Sequence, residues 1–327
     1  MFRRPLKVAL ISALLACAFA SPGMTQAWPS RTVSILVPFP AGGSTDIVAR
    51  FMAERMRALY NGASFVVENK PGATGNVAAA AVAKAAPDGH TLLFSTSGPV
   101  ATNVLIFKNP PIDPLKDLTP IALVAEVPLI IVVNAKLPIK NISELLAYDK
   151  ANPGKLNFGN AGTGGMGHMA SELFARTTGR KFVSVPYQGS APVTRDLVAG
   201  MVDVAFDLAP TYLPHIRSGA LRALAVTTTK RLPDLPDVPT VAEQGFPDYE
   251  ASSFVALLGP PNLPPDVVTK LNAAVNDWLQ TKEAKTALAN QTLFPLGGTP
   301  DMLRARIQKE IDKWRPVVTA AGISLGQ

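Results

Sequence analysis

The chain has 327 residues, of which 47% are hydrophobic and 17% charged, so it can form two domains with sizeable cores and is too apolar for a disordered protein. The formal net charge of +7 includes three basic residues in an N-terminal leader that contains no acid, which leaves +4 without the leader. The remaining lysines and arginines are scattered and are not interleaved with aromatic residues, which argues against a nucleic-acid-binding protein.

The first 27 residues have the pattern of a signal peptide. A basic start is followed by an apolar run from Val8 to Ala20, which is too short to span a bilayer. Small residues allow cleavage after Ala20 or after Ala27. Cys17 is the only cysteine, and a lipid anchor on it is the alternative to its removal with the leader. We expect an exported chain without disulfides.

Residues 33–56, VSILVPFPAGGSTDIVARFMAERM, predict a strand, a glycine turn and a helix. Residues 33–37 suit a buried strand, and two prolines end it. The unpaired N–H groups at the start of the following helix would bind an anion. Asp46 could instead be only a favourable charge in the first helical turn, and Phe39 could be a core residue. The candidate ligand-binding residues of this first glycine loop are Phe39, Ala41, Gly42, Gly43, Ser44, Thr45 and Asp46.

Strands and helices alternate in the next part of the chain. Ser64–Glu68 and Thr91–Ser95 are predicted strands, separated by an alanine-rich helix from Gly75 to Ala86. This alternation favours a parallel α/β sheet, in which ligands lie beyond the carboxyl ends of the strands. Ser95 and Ser97, at the end of the third strand, are therefore candidate ligand-binding residues.

Residues 160–167 form a second glycine-rich turn between a predicted strand and a helix. The spacing of Gly162, Gly164 and Gly167 matches the dinucleotide-binding pattern G-x-G-x-x-G. The next strand, Phe182–Tyr187, carries no acid at its end to hold a ribose, which argues against a dinucleotide. We interpret the turn as a second anion-binding helix start, or as a turn that needs glycine for packing. The candidates here are Asn160, Gly162, Thr163, Gly164, Gly165 and His168.

Three further candidates follow strands in the second half of the chain. Tyr187 and Gln188 lie at a strand end. Asp207 ends another strand, where it would meet a ligand amine or hydroxyl or merely cap a turn. The apolar segments Leu129–Asn134 and Ser253–Leu258 are predicted to cross between two α/β domains, which makes a hinged clamshell.

Catalysis has little support in the sequence. There is no G-x-S-x-G, H-E-x-x-H or C-x-x-C motif, and the three histidines, His90, His168 and His215, are far apart. We therefore predict a protein that is not an enzyme and has no metal site and no cofactor. A secreted hydrolase or other enzyme that uses the same cleft is the alternative.

Four blocks of sequence carry a family resemblance, which spans nearly all of the chain after Ala27. They are WPSRTVSILVPFPAGGSTDIVAR, VENKPGATGNVAAAAVAKAAPDGHTLL, VPYQGSAP and LPDVPTVAEQGFPDYEASSF. In this order they resemble the Bug (Bordetella uptake gene) family, the extracytoplasmic solute receptors of tripartite tricarboxylate transporters. The chain departs from the usual family pattern at His90, Phe254 and Ala256, so the pocket floor and the ligand are expected to differ.

The resemblance implies a type II-like periplasmic binding protein, cleaved after Ala27. Its first domain would comprise residues 28–128 and 252–327, and its second residues 129–251. The two glycine loops would grip one small carboxylate, partly through ordered water molecules. The protein would deliver it to membrane subunits similar to TctA and TctB, and we expect a monomer.

Overall fold

The computed structural model describes residues 28–326, so the predicted signal peptide, its cleavage sites and Cys17 lie outside the described residues. In this range a ten-stranded sheet is flanked by helices. Its strands are β1 (Val33–Val37), β2 (Phe65–Asn69), β3 (Thr91–Thr96), β4 (Thr119–Asn134), β5 (Asn157–Asn160), β6 (Val183–Pro186), β7 (Val204–Leu208), β8 (Leu221–Val226), β9 (Ser252–Gly259) and β10 (Phe294–Pro295).

The described residues also form ten α-helices and three short helical turns. The α-helices are α1 (Ser44–Leu59), α2 (Asn76–Ala83), α3 (Asn103–Ile106), α4 (Ile142–Ala151), α5 (Met166–Thr178), α6 (Ser190–Ala199), α7 (Ala209–Arg217), α8 (Pro265–Gln280), α9 (Lys282–Asn290) and α10 (Pro300–Ala321). The turns are 3₁₀ at Ala73–Gly75 and Ala242–Gln244, and π-helical at Gly98–Thr102. None of the helices in residues 28–326 is long and apolar enough to cross a membrane.

The strand order is β2-β1-β3-β9-β4-β7-β5-β6, and β8 and β10 also pair with β4. β1 is parallel to β2 and β3, and β5 is parallel to β6 and β7. β9 is antiparallel to both β3 and β4. Two parallel units are thus joined through β9 and β4, which confirms the predicted alternation of strand and helix on either side of the two crossings.

β4 is one strand of 16 residues that continues through Pro128 into the predicted crossing segment Leu129–Asn134. Its first part, up to Pro128, pairs with β9, and its second part, from Leu129, pairs with β7. Pro128 lies where the strand changes partners, a position at which its missing N–H costs little pairing. One continuous strand therefore runs through both halves of the sheet.

The C-terminal helix α10 contacts the cores of both halves. Leu303 and Ile307 pack against the core beneath β3 and β9, whereas Trp314 and Val317 pack against the core that contains β5 and β7. Buried Glu310 lies between these two groups and accepts a hydrogen bond of 2.6 Å from Trp314 Nε1. The predicted domain division assigns the whole helix to the first domain, and in the structure α10 contacts both cores.

Candidate functional site

The first glycine loop connects β1 to α1. Gly42 has φ +85°, which L side chains rarely adopt, and Gly43 is the N-cap residue of α1 with φ −75°. A Cβ on Gly43 would meet only the Pro40 carbonyl oxygen, at 3.6 Å, and one on Gly42 would meet nothing within 4 Å. Packing therefore does not require either glycine, and the surface above the start of α1 is open.

The start of α1 carries free backbone donors. No side chain caps it, and the first backbone hydrogen bond that closes the helix runs from Ile47 N–H to the Gly43 carbonyl. Within residues 28–326, the N–H groups of Ser44 and Thr45 and their hydroxyls have no acceptor. Both residues are half-buried, whereas Ala41 is exposed and Phe39 packs against the core of the first domain. These donors are available to an anion.

Asp46 is fully engaged inside the protein. Its carboxylate accepts hydrogen bonds from Gly42 N–H at 2.9 Å, from Arg50 Nε at 3.0 Å and Nη2 at 2.9 Å, and from Asn69 Nδ2 at 2.9 Å. Burial raises the pKa of Asp46, but these hydrogen bonds outweigh burial and lower the pKa from 3.8 to about 2. The ion pair with Arg50 offsets the repulsion that an isolated Asp46 would exert on an anion in the loop.

This network predicts a pH-dependent contribution to stability. Because the pKa of Asp46 is depressed on folding, its contribution is complete above pH 3.8 and is lost as the pH falls through about 2. We expect Asp46→Asn to destabilise the fold by about 1.5–3 kcal/mol at pH 6, because hydrogen bonds to a charged group are lost. Urea denaturation of both proteins at pH 6 and pH 2 checks this: the difference should shrink at pH 2, and an equal difference would contradict the assignment.

The second glycine loop connects β5 to α5 and is held by Asn160. This buried side chain accepts from Gly162 N–H at 3.1 Å and donates to Ser184 Oγ at 2.9 Å. The backbone carbonyl of Asn160 accepts a hydrogen bond from Tyr187 N–H at 2.9 Å. The turn closes through Gly165 N–H to the Gly162 carbonyl at 3.0 Å. Asn160 therefore fixes this loop to the next strand, β6, instead of presenting its amide to the cleft.

The start of α5 resembles that of α1. Gly165 is its N-cap residue, no side chain caps it, and Thr163 and Gly165 are exposed. His168 accepts a hydrogen bond from Gly164 N–H through Nδ1 at 3.1 Å, so the ring proton of its neutral form lies on Nε2, 3.6 Å from Glu172 Oε1. The His168 side chain therefore stabilises the loop from its own helix.

Packing requires one glycine of this loop, Gly167, whereas Gly164 has φ +76°, which L side chains rarely adopt. A Cβ on Gly167 would overlap the Phe206 carbonyl oxygen, so α5 lies directly against β7. A Cβ on Gly164 would lie 2.6 Å from Ile106 Cδ1, at the end of α3. The second glycine loop thus contacts the helical segment that begins just after Ser97. The packing interpretation of the glycine pattern is supported at Gly167.

Glycine N-caps occur at one edge of each parallel unit. The four α-helices that directly follow β1, β2, β5 and β6 begin after Gly43, Gly75, Gly165 and Gly189, and none has a side-chain cap. By contrast, α4, α9 and α10 are capped by the side chains of asparagine or threonine residues. The helices α3, α7 and α8 also lack a side-chain cap, but their N-cap residues are not glycines. Glycine-capped helix starts thus lie at the carboxyl ends of parallel strands, where ligands bind in such sheets.

The remaining candidates surround these loops. Asp207 is buried, accepts from Leu208 N–H at 2.8 Å and from Tyr212 Oη at 3.2 Å, and its Cα lies 3.5 Å from the position of a Cβ on Gly167. Burial raises the pKa of Asp207 against these hydrogen bonds. Tyr187 Oη donates to Asp196 at 3.0 Å, and Gln188 is exposed.

Ser97 pairs with a residue that the sequence analysis did not select. Its Oγ lies 2.7 Å from Ser253 Oγ in β9, and both side chains are buried. Since only one of the two hydroxyl protons is used in this pair, one donor remains at the junction of β3 with the crossing strand. Ser95 is also buried and donates to the Thr96 carbonyl at 3.3 Å.

The described residues contain no cluster of three or more histidine, cysteine, aspartate or glutamate side chains that could hold a metal ion.

The chain matches the family model of the tripartite tricarboxylate transporter family receptor, TctC, over residues 48–323. It belongs to this receptor family. The relationship recognised from the four sequence blocks is therefore confirmed.

The relatives of this receptor are similar to it over most of its length. It is 39% identical over 320 residues to BugT of Bordetella pertussis, covering 97% of this chain and 98% of BugT. The structure of R. palustris Rpa4515 with adipate is 39% identical, with a TM-score of 0.81, covering 92% of this chain and 100% of that one. MatC of Rhodopseudomonas palustris with bound malate is 35% identical, with a TM-score of 0.76, covering 89% and 100%. These structures confirm the two-domain periplasmic binding protein fold.

Some residues of the receptor's candidate site gave only a weak sequence signal. Arg50 is four residues after Asp46, and this spacing on a helix is a recognisable sign of an ion pair. Asn69 and Ile106 contact the two glycine loops from distant parts of the chain, and no local pattern indicates those contacts. Ser253 lies in the predicted crossing strand, where a serine among apolar residues was the available signal.

Proposed function

We propose that this receptor captures a small organic carboxylate in the cleft between its two domains, and delivers it to the membrane subunits of a tripartite tricarboxylate-type transporter. The observation that carries the proposal is the pair of glycine-capped helix starts, α1 and α5, each following a parallel strand and each without a side-chain cap. The relatives whose structures contain adipate and malate support a carboxylate as the ligand class.

Backbone donors would do most of the binding. One helix terminus contributes only about 0.3–2 kcal/mol to the binding of an anion. Micromolar affinity requires about −8 kcal/mol, so the ligand needs several direct or water-bridged hydrogen bonds in addition. The hydroxyls of Ser44, Thr45 and Thr163 are the side-chain donors nearest the two helix starts. Arg50 is occupied by Asp46, so no free cation is assigned to the ligand.

We infer the domain arrangement as residues 28–128 with 252–327, and residues 129–251, which rotate about β4 and β9. In this arrangement Gly43 and Gly165 stand on opposite walls of one cleft. We also infer that residues 1–27 are a signal peptide, that cleavage occurs after Ala27, and that the mature receptor works as a monomer in the periplasm. The family relationship and the leader pattern support these inferences.

A thermal-shift screen of the full mature chain with mono- and dicarboxylates, including adipate and malate, tests the ligand class. A ligand at 100 times its dissociation constant stabilises the protein by about 2.7 kcal/mol. We expect at least one carboxylate to raise the melting temperature, and calorimetry then gives its affinity. If no carboxylate raises it while another solute class does, the proposed ligand class is wrong.

The same samples test the alternative of an enzyme that uses this cleft. A receptor returns its ligand unchanged, so NMR spectra of the bound carboxylate should be identical before and after prolonged incubation with the protein. Formation of a product at a rate proportional to protein concentration would instead support a hydrolase or another enzyme.

A further inference from the structure

A pair of buried amides lies outside the two glycine loops. Asn76 is the first residue of α2, and Asn103 is the first residue of α3. Asn103 Nδ2 donates to Asn76 Oδ1 at 2.8 Å and lies 3.2 Å from both the carbonyl and the Oγ1 of Thr74. Asn76 is 3% exposed and Asn103 is 4% exposed. The amide protons of Asn103 are therefore fully used within the protein.

The amide nitrogen of Asn76 has no acceptor among residues 28–326. Exchanging its nitrogen and oxygen would place two amide nitrogens face to face, so the hydrogen bond from Asn103 fixes this orientation. Buried amide donors without a partner are rare in folded proteins because leaving one unpaired is costly. We therefore expect the Asn76 N–H groups to donate to an acceptor oxygen that is not part of the protein.

Residues next to the pair contact the segment before the first glycine loop and the second glycine loop itself. Gly75, next to Asn76, packs against Pro99 and has Pro38 Cβ 3.1 Å from the position of its missing Cβ. Three residues beyond Asn103, Ile106 contacts Gly164 of the second loop. The segment from Pro99 to Ile106 therefore reaches from the residues near the end of β1 to the second glycine loop. For a ligand to reach the buried amide pair, this segment must become exposed when Ile106 moves away from Gly164.

We propose that Asn76, supported by Asn103, is a second anchoring site in the cleft. It receives an acceptor oxygen other than those of the carboxylate that binds the helix starts, such as the second carboxylate of a dicarboxylate. The inference rests on the proposed function, because it presumes that the first carboxylate binds at the helix starts. An unpaired N–H donor selects an oxygen acceptor and disfavours a ligand amine.

Calorimetry on the mature chain with adipate, malate and hexanoate tests the site, because hexanoate has one carboxylate on a chain as long as that of adipate. Asn76→Asp keeps the acceptor for Asn103 but removes the free N–H groups and adds a negative charge. We expect the affinity for the dicarboxylate that binds more tightly to fall at least tenfold, a typical loss for a hydrogen bond to a charged group. Hexanoate affinity should change less than threefold. Asn76→Ala should give a smaller loss in the same direction.

Asn272→Asp is the control, because the half-buried Asn272 amide has its donors satisfied, by the Ile121 and Gly298 carbonyls at 2.8 Å. It should lower the melting temperature and leave dicarboxylate affinity unchanged.

Unchanged dicarboxylate affinity in Asn76→Asp would overturn the anchoring site while the proposed function stands. An equal loss for adipate and hexanoate would also overturn it, because Asn76 would then act only on the shape of the cleft. If the parent protein binds no carboxylate, the proposed function fails and this site with it.

Discussion

Replacing Gly43 by valine should lower the affinity of the receptor for its carboxylate by about a hundredfold or more, while the protein remains folded. Gly43 has φ −75° and ψ 161°, which any residue adopts, and the nearest atom to an added Cβ is 3.6 Å away. The fold therefore accommodates a side chain there. The valine methyl groups would stand over the N–H groups of Ser44 and Thr45 and keep the carboxylate from them. Calorimetry measures the loss, and urea denaturation shows whether stability changes.

Gly43→Ser sharpens this test because serine is a preferred N-cap residue. Its hydroxyl would accept a hydrogen bond from an N–H group in the first turn of α1, which stabilises the helix by a few tenths of a kcal/mol relative to glycine. The same hydrogen bond removes a donor from the ligand. We expect stability to stay equal or rise while affinity falls. If Gly43→Val and Gly43→Ser both bind as tightly as the parent, this loop is structural and the carboxylate binds elsewhere.

Gly167→Ala should be strongly destabilising, by about 3 kcal/mol or more. The new methyl group would overlap the Phe206 carbonyl oxygen, and because this contact is with backbone, α5 must move away from β7. The hydrophobic contacts of Met169 and Phe174 with the core of the second domain would loosen as well. Thermal and urea denaturation should both show the loss.

Gly43→Ala is the control for the Gly167 variant. It adds the same methyl group at a glycine with free space and an ordinary φ, so it should cost no more than about 1 kcal/mol. A Gly167→Ala protein as stable as Gly43→Ala would show that α5 is not held closely to β7. Carboxylate affinity should also fall in Gly167→Ala, since the displaced helix carries the second glycine loop.

The glycines of the second loop share one sequence pattern but have different structural environments. Gly162, Gly164 and Gly167 fit a turn at a helix start, and the structure has that turn. The neighbours of these glycines differ, however. A Cβ on Gly164 would contact the Ile106 side chain, whereas one on Gly167 would overlap the Phe206 carbonyl oxygen. A bulky substitution at Gly164 would therefore strain the backbone, which has φ +76°, and displace the Ile106 side chain as well as obstruct a ligand. Gly43, with open space around it, is the better probe of backbone approach.

Much of the site's local structure follows from the sequence, because it depends on neighbouring residues. The apolar run of β1, its terminating prolines and the glycines before α1 are read directly from one short stretch. Likewise, Thr240 and Glu243 have the sequence spacing of a capping box and form one, with hydrogen bonds of 3.0 and 2.7 Å. Hydrophobic spacing also indicates α8 and α10, whose apolar residues recur at helical intervals and are buried.

Tertiary structure alone decided the features that join distant parts of the chain. Asp46 is engaged by Asn69, 23 residues away, so its role in the loop could not be read from its own helix. β4 continues through Pro128 because it exchanges β9 for β7 there, and α10 extends over two cores because both halves offer it an apolar surface. Periodicity reports which face of an element is buried, but not which element buries it, and that choice positions Ile106 against the second glycine loop.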